Sequence, residues 1–132
     1  MHPINWLFLT DEEYREAEKD AFEILEQCIV GDYLKLSREQ NFKLIVVLHP
    51  VLSELEQNNF LLHPLAVKLQ KLPEIKTINL FEAFKKTNQQ SDIEYKSLYW
   101  LKDGHNNSRG YQLWADHTYP EVDFILSDTL HN

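Results

Sequence analysis

Lys43-Leu44-Ile45-Val46-Val47-Leu48-His49-Pro50 is an unbroken apolar run, rich in β-branched residues, that stops at a proline. Such a run reads as a strand covered on both faces, which is the signature of a parallel strand in an α/β sheet. Pro50 cannot donate to the ladder, so the strand ends at about His49. Downstream, Pro64 to Leu72 reads as a short helix closed by Pro73, Ile75 to Leu80 as a second, weaker strand, and Phe81 to Lys86 as a helical turn. Thr87 to Asp92 is polar and reads as a loop.

Upstream, Thr10 precedes Asp11-Glu12-Glu13, which places a capping hydroxyl three residues before a glutamate and acids at the positive end of a helix. Tyr14, Ala17, Ala21, Ile24, Leu25 and Cys28 recur at three- and four-residue steps, predicting an amphipathic helix with one buried face to about Val30. Gly31 is a natural stop, although Tyr33, Leu34 and Leu36 continue the pattern. Helix, strand, helix, strand is βαβ grammar, and the expected fold is α/β. Two parallel strands make a poor sheet by themselves. Further strands are therefore expected outside this chain, from a second chain, or from Trp6-Leu7-Phe8-Leu9, and an uncovered edge predicts self-association.

Length and charge bound the rest. With 132 residues the chain suits a single domain, 1–132. Hydrophobic residues make up 43% and charged residues 26%, a globular composition and not a disordered one. Thirteen Lys and Arg against 21 Asp and Glu leave a net charge of −8, and no basic cluster interrupts it. That balance repels phosphate backbones, so no nucleic-acid partner is expected. No apolar run reaches the length of a membrane span. Met1-His2-Pro3-Ile4-Asn5 is not a signal peptide, which makes the cytoplasm the default expectation. The single Cys28 has no partner within the chain for a disulfide and reads as a small apolar residue in the helical stripe.

The segment richest in chemistry is Tyr99-Trp100-Leu101-Lys102-Asp103-Gly104-His105-Asn106-Asn107-Ser108-Arg109-Gly110-Tyr111-Gln112-Leu113-Trp114-Ala115. Asp-Gly is a turn signal, and Gly104 tolerates a positive φ. Asn107 or Ser108 can cap a helix on which Tyr111, Trp114, Ala115 and Thr118 share a face, and Gly110 lets that helix approach another backbone closely. A histidine thus stands on a tight turn before a helix, with a carboxylate two residues earlier. A carboxylate beside an imidazole fixes its tautomer and stabilises its cation, which suits a general base. Read for packing alone, Asp103 is a turn residue, His105 faces solvent and Trp100, Trp114, Tyr99 and Tyr111 are core, although such aromatic clusters also rim substrate pockets. Asp103, His105, Asp116 and His117 match no standard zinc spacing, and neither metal nor cofactor is expected.

Asp103-Gly104-His105-Asn106-Asn107, with Gly110-Tyr111 and Ala115, resembles the last conserved block of the SGNH (GDSL-type) hydrolases. The order of elements over about residues 10–120 is similar as well. The resemblance implies a flavodoxin-like three-layer α/β/α fold, incomplete in this chain, corresponding to the carboxyl-terminal part of such an enzyme. It implies that His105 is the catalytic base for a serine nucleophile and that Asp103 orients it. His49, before Pro50 at the carboxyl end of a strand, stands where open α/β folds bind ligands and is the candidate substrate-binding residue; its plainer reading is a polar residue that ends the strand. The substrate implied is a small molecule or an acyl ester, once the missing amino-terminal part is supplied.

The departures are specific. Gly-Asp-Ser, the oxyanion glycine and Gly-x-Asn-Asp are absent, and Ser37, Ser53, Ser91, Ser97, Ser108 and Ser127 all lack a preceding Gly-Asp. The commonest family spacing places Asp three before His, where Lys102 stands here; the two-residue spacing occurs in acetyltransferase-like branches. Enzymatic activity in this chain alone is therefore not expected. The rival expectation is a catalytically silent protein that binds a partner or completes its sheet.

Overall fold

A computed structural model describes residues 10–91 and 94–130. Trp6 to Leu9, named above as a strand source, lie outside the described residues. Backbone contacts gather in two units, one ending at Leu44 and one beginning at Ile45.

In the first unit, α1 (Asp11–Glu26) opens with the expected capping box: the Thr10 hydroxyl accepts from the Glu13 amide at 3.3 Å, and the Glu13 carboxylate accepts from the Thr10 amide at 2.8 Å. Those bonds hold the Glu13 carboxyl below its ordinary value. The helix does not end at Val30. It passes through a π-helical segment, Gln27–Tyr33, into α2 (Leu34–Gln40). Gly31 takes no positive φ, and the Gln27 side chain occupies the space a Cβ there would need. The extra residue of a π turn shifts the phase of the apolar stripe, so a single face is not maintained: Ile24 is exposed, Cys28 half-buried and Leu34 buried. Asn41, left-handed at φ 52°, ends α2.

The chain then enters β1 (Leu44–Leu48), followed by α3 (Leu52–Gln57), α4 (His63–Leu69), β2 (Ile75–Asn79), α5 (Leu80–Ser91), a 3-10 turn (Tyr95–Leu98) and α6 (Ser108–Leu130). β1 and β2 pair in parallel, so the architecture is mixed α/β with a βαβ connection. Only Leu48 of β1 is buried; Leu44 to Val47 are half-buried, where the apolar run predicts full cover. Two strands are the whole sheet among the described residues.

The core of the second unit lies where α4 packs on β2 and where α5 meets α3 and α6. Leu65, Leu69, Leu80 and Phe84 are fully buried, and Phe60 stacks on Phe81 at 4.9 Å between ring centroids. α5 corrects the expected loop at Thr87 to Asp92, because the helix runs on to Ser91. Its polar residues are accommodated locally: the Thr87 hydroxyl donates to the Ala83 carbonyl at 3.1 Å, one turn back.

Candidate functional site

The segment after the 3-10 turn folds back on itself. Tyr99 and Asn106 form an antiparallel bridge, Trp100 N–H donates to His105 O at 2.7 Å, and Gly104 N–H donates to Trp100 O at 2.8 Å. Gly104 sits at φ 73°, the left-handed conformation its turn requires. Asn107 caps α6, its Oδ1 accepting from Arg109 N–H at 2.9 Å and Gly110 N–H at 3.2 Å. Its Nδ2 donates backwards to Ser97 O at 2.8 Å, which ties the cap to the 3-10 turn. Asn107→Ala is expected to cost about 1–2 kcal/mol, the upper range for an N-cap, read as a lower urea midpoint.

The turn displays Asp103 and His105. Asp103 Oδ1 accepts from His105 N–H at 3.0 Å and lies 3.5 Å from His105 Nδ1. Both side chains are well exposed, so water screens the pair and the attraction is weak. The carboxylate thus serves the turn and the imidazole together.

The turn is anchored to the end of β1. The buried Tyr99 hydroxyl donates to Pro50 O at 2.9 Å, joining residues 49 apart in sequence. Burial raises the Tyr99 phenol far above its ordinary range. His49, directly after β1, places its ring edge-on to Phe84 at 5.6 Å and 6.3 Å from Tyr99. Asn106, immediately after His105, is buried and lines the same cavity as His49. The Asn106 side chain favours the charged ring, yet among the described residues neither its Oδ1 nor His49 Nδ1 has a hydrogen-bond partner of ordinary geometry.

Between the turn and the end of β1 lies a cavity of about 560 Å³ lined by His49, Pro50, Val51, Leu52, Ser53, Glu56, Asp103, Gly104, His105, Asn106, Tyr111 and Trp114. This is within the size range of small-molecule sites. His49, Asp103 and His105 therefore share one opening. β2 contributes no residue to the lining. Tyr111 and Trp100 are exposed rather than packed in the core, and Tyr111 and Trp114 instead form part of the cavity wall. Asn106 and Ser53 were not singled out by spacing; only the position of Asn106 next to His105 hinted at the former. Asp116 accepts from Gln112, and His117 faces the Thr87 hydroxyl at 3.4 Å. Among the described residues no three His, Cys, Asp or Glu side chains are grouped to hold a metal.

His49 also gives the site a pH signature. Burial lowers its pKa below 6.5, against the opposing influence of Asn106 and the Glu54 carboxylate. The unfolded chain then binds more protons than the native one as pH falls below about 6.5, so stability is complete above that value and declines beneath it. The urea midpoint should drop between about pH 7.5 and pH 5, and His49→Phe should flatten that component.

No protein-family model, curated protein or solved structure matches this chain. No helix among the described residues is long and apolar enough to cross a membrane.

Proposed function

We propose that the unit beginning at Ile45 is the His/Asp-bearing, carboxyl-terminal part of an SGNH-type ester or acyl hydrolase, with a flavodoxin-like sheet completed by segments beyond β1 and β2. The observation that carries this reading is the shared cavity: His105, on the turn before α6, opens onto the same space as His49 at the carboxyl end of a parallel strand. Ligands of open α/β folds gather at such strand ends. In this reading Asp103 holds His105 Nδ1 and leaves the other ring nitrogen to take a proton from a nucleophile. Tyr111, Trp114 and Val51 supply apolar wall for an acyl chain.

The nucleophile is a serine supplied with a Gly-Asp-Ser segment. Without it and its oxyanion donors, most of the machinery of acyl transfer is missing. The chain alone should not hydrolyse p-nitrophenyl acetate above buffer. Combined with a Gly-Asp-Ser segment encoded beside it, it should gain turnover that His105→Ala removes. Turnover by the chain alone that vanishes in His105→Ala would contradict the missing nucleophile.

The half-buried Leu44 to Val47 favour a second reading, in which the chain is catalytically silent and completes a partner's sheet. No Gly-Asp-Ser segment encoded nearby, together with ordered oligomers in light scattering, would decide for it.

A further inference from the structure

Assigning the base to His105 leaves a second histidine of the same cavity without a role. His49 Nδ1 and Asn106 Oδ1 are both buried, and both lack a hydrogen-bond partner among the described residues. Asn106 is only 5% exposed. A buried polar atom left unpaired costs free energy, and the two orphans are complementary: an N–H on the ring nitrogen satisfies an amide oxygen. One tautomer alone achieves this. A hydrogen on Nδ1 leaves Nε2 with a free lone pair, because the partner of one ring nitrogen sets the state of the other.

The surroundings hold both groups in place. Phe84 and Tyr99 flank the ring, and the Tyr99 hydroxyl binds Pro50 O at the next residue. Asn106 is fixed by its bridge to Tyr99 and by the bare Cα of Gly110, where an added Cβ would lie 2.9 Å from the amide carbon and oxygen. An asparagine side chain orienting a histidine is a known way to prepare a hydrogen-bonding imidazole.

We infer that Asn106 holds His49 as the Nδ1–H tautomer, and that His49 Nε2 is the cavity's acceptor for the O–H of a neutral alcohol. The lining favours a neutral ligand. Among the described residues it contains the carboxylates of Asp103 and Glu56 and no lysine or arginine, and Glu56 lies 3.6 Å from Lys96 outside the lining. An anion would meet these carboxylates with no cation in the wall to receive it. Val51, Leu52, Tyr111 and Trp114 give the alcohol's carbon skeleton apolar cover. Desolvation keeps the ring neutral, in keeping with an accepting nitrogen. This inference requires no ester cleavage and concerns a different histidine from the proposed base.

Long-range proton–nitrogen correlation spectra of the 15N-labelled chain at about pH 7.5 test it directly. His49 should show a protonated Nδ1 and an unprotonated Nε2, and Asn106→Leu should shift that balance. Benzyl alcohol should move the Nε2 resonance, with benzoate binding at least about tenfold more weakly. An Nε2–H tautomer in the unaltered chain would overturn the inference, and that spectrum decides even if Asn106→Leu does not fold. Benzoate binding as well as the alcohol, or a saturating alcohol leaving His49 unmoved, would overturn it too. His105→Ala should leave the His49 signals in place, so failure of the hydrolase reading is distinguishable from failure of this one.

Discussion

Glu54→Ala is expected to lower the stability of the unit beginning at Ile45 by about 3 kcal/mol. Glu54 is 8% exposed, and its carboxylate organises two stretches of backbone. Oε2 accepts from Val51 N–H at 2.8 Å and Oε1 from Leu61 N–H at 2.9 Å. The first bond starts α3 in place of a capping hydroxyl, since valine has no side-chain acceptor. The second fastens the loop ahead of α4. Hydrogen bonds to a charged group contribute roughly 1.5–3 kcal/mol each, and part of that returns here through water reaching the freed amides. Glu54→Gln keeps one acceptor and should lose about half as much. Urea titration followed by tryptophan fluorescence measures both, and a full loss in Glu54→Ala beside almost none in Glu54→Gln would show that packing rather than the two bonds dominates.

Gly110→Ala should cost about 2–3 kcal/mol, the range for forcing atoms into a packed site. Within an ordinary helix the same change gains roughly 0.5–1 kcal/mol, so the sign itself is diagnostic. An added Cβ would overlap the Leu98 carbonyl oxygen and crowd the Asn106 side chain. Leu98 O cannot move aside freely, because it accepts from Asn107 N–H at 3.0 Å. The turn holding His105 would be displaced along with it. Thermal melts should show a fall of roughly 10 °C. An unchanged or raised Tm would mean that α6 does not approach the 3-10 turn this closely.

Features set by one or a few neighbouring residues were legible in the sequence. The apolar run with Pro50 marks β1, Thr10 and Glu13 form their box, Gly104 takes its positive φ, Asn107 caps α6 and Gly110 permits a close backbone approach. What escaped depended on distant partners. α3 is only six residues long and opens on a carboxylate that also reaches Leu61, so no hydroxyl cap announces it. The polar second half of α5 resembles a loop until Thr87 bonds back to Ala83. The packing of His49 against Phe84 and Tyr99, and its place in one cavity with Asn106, require the 99–107 turn to return to β1. Tyr111 reads as a core residue by helical spacing, yet α6 turns it to the cavity mouth because Gly110 and Thr118 take the buried positions.

The central claim is that the cavity beside His105 and His49 receives an acyl ester. Amide spectra of the 15N-labelled chain, titrated with ethyl butyrate, test it without any need for turnover. Shifts concentrated at Val51, Leu52, Gly104, Asn106 and Tyr111, with a weakened response in Trp114→Ala, are the expected result. Shifts confined to residues outside that lining, such as Glu94 to Lys96, or none at a saturating ester concentration, would contradict it.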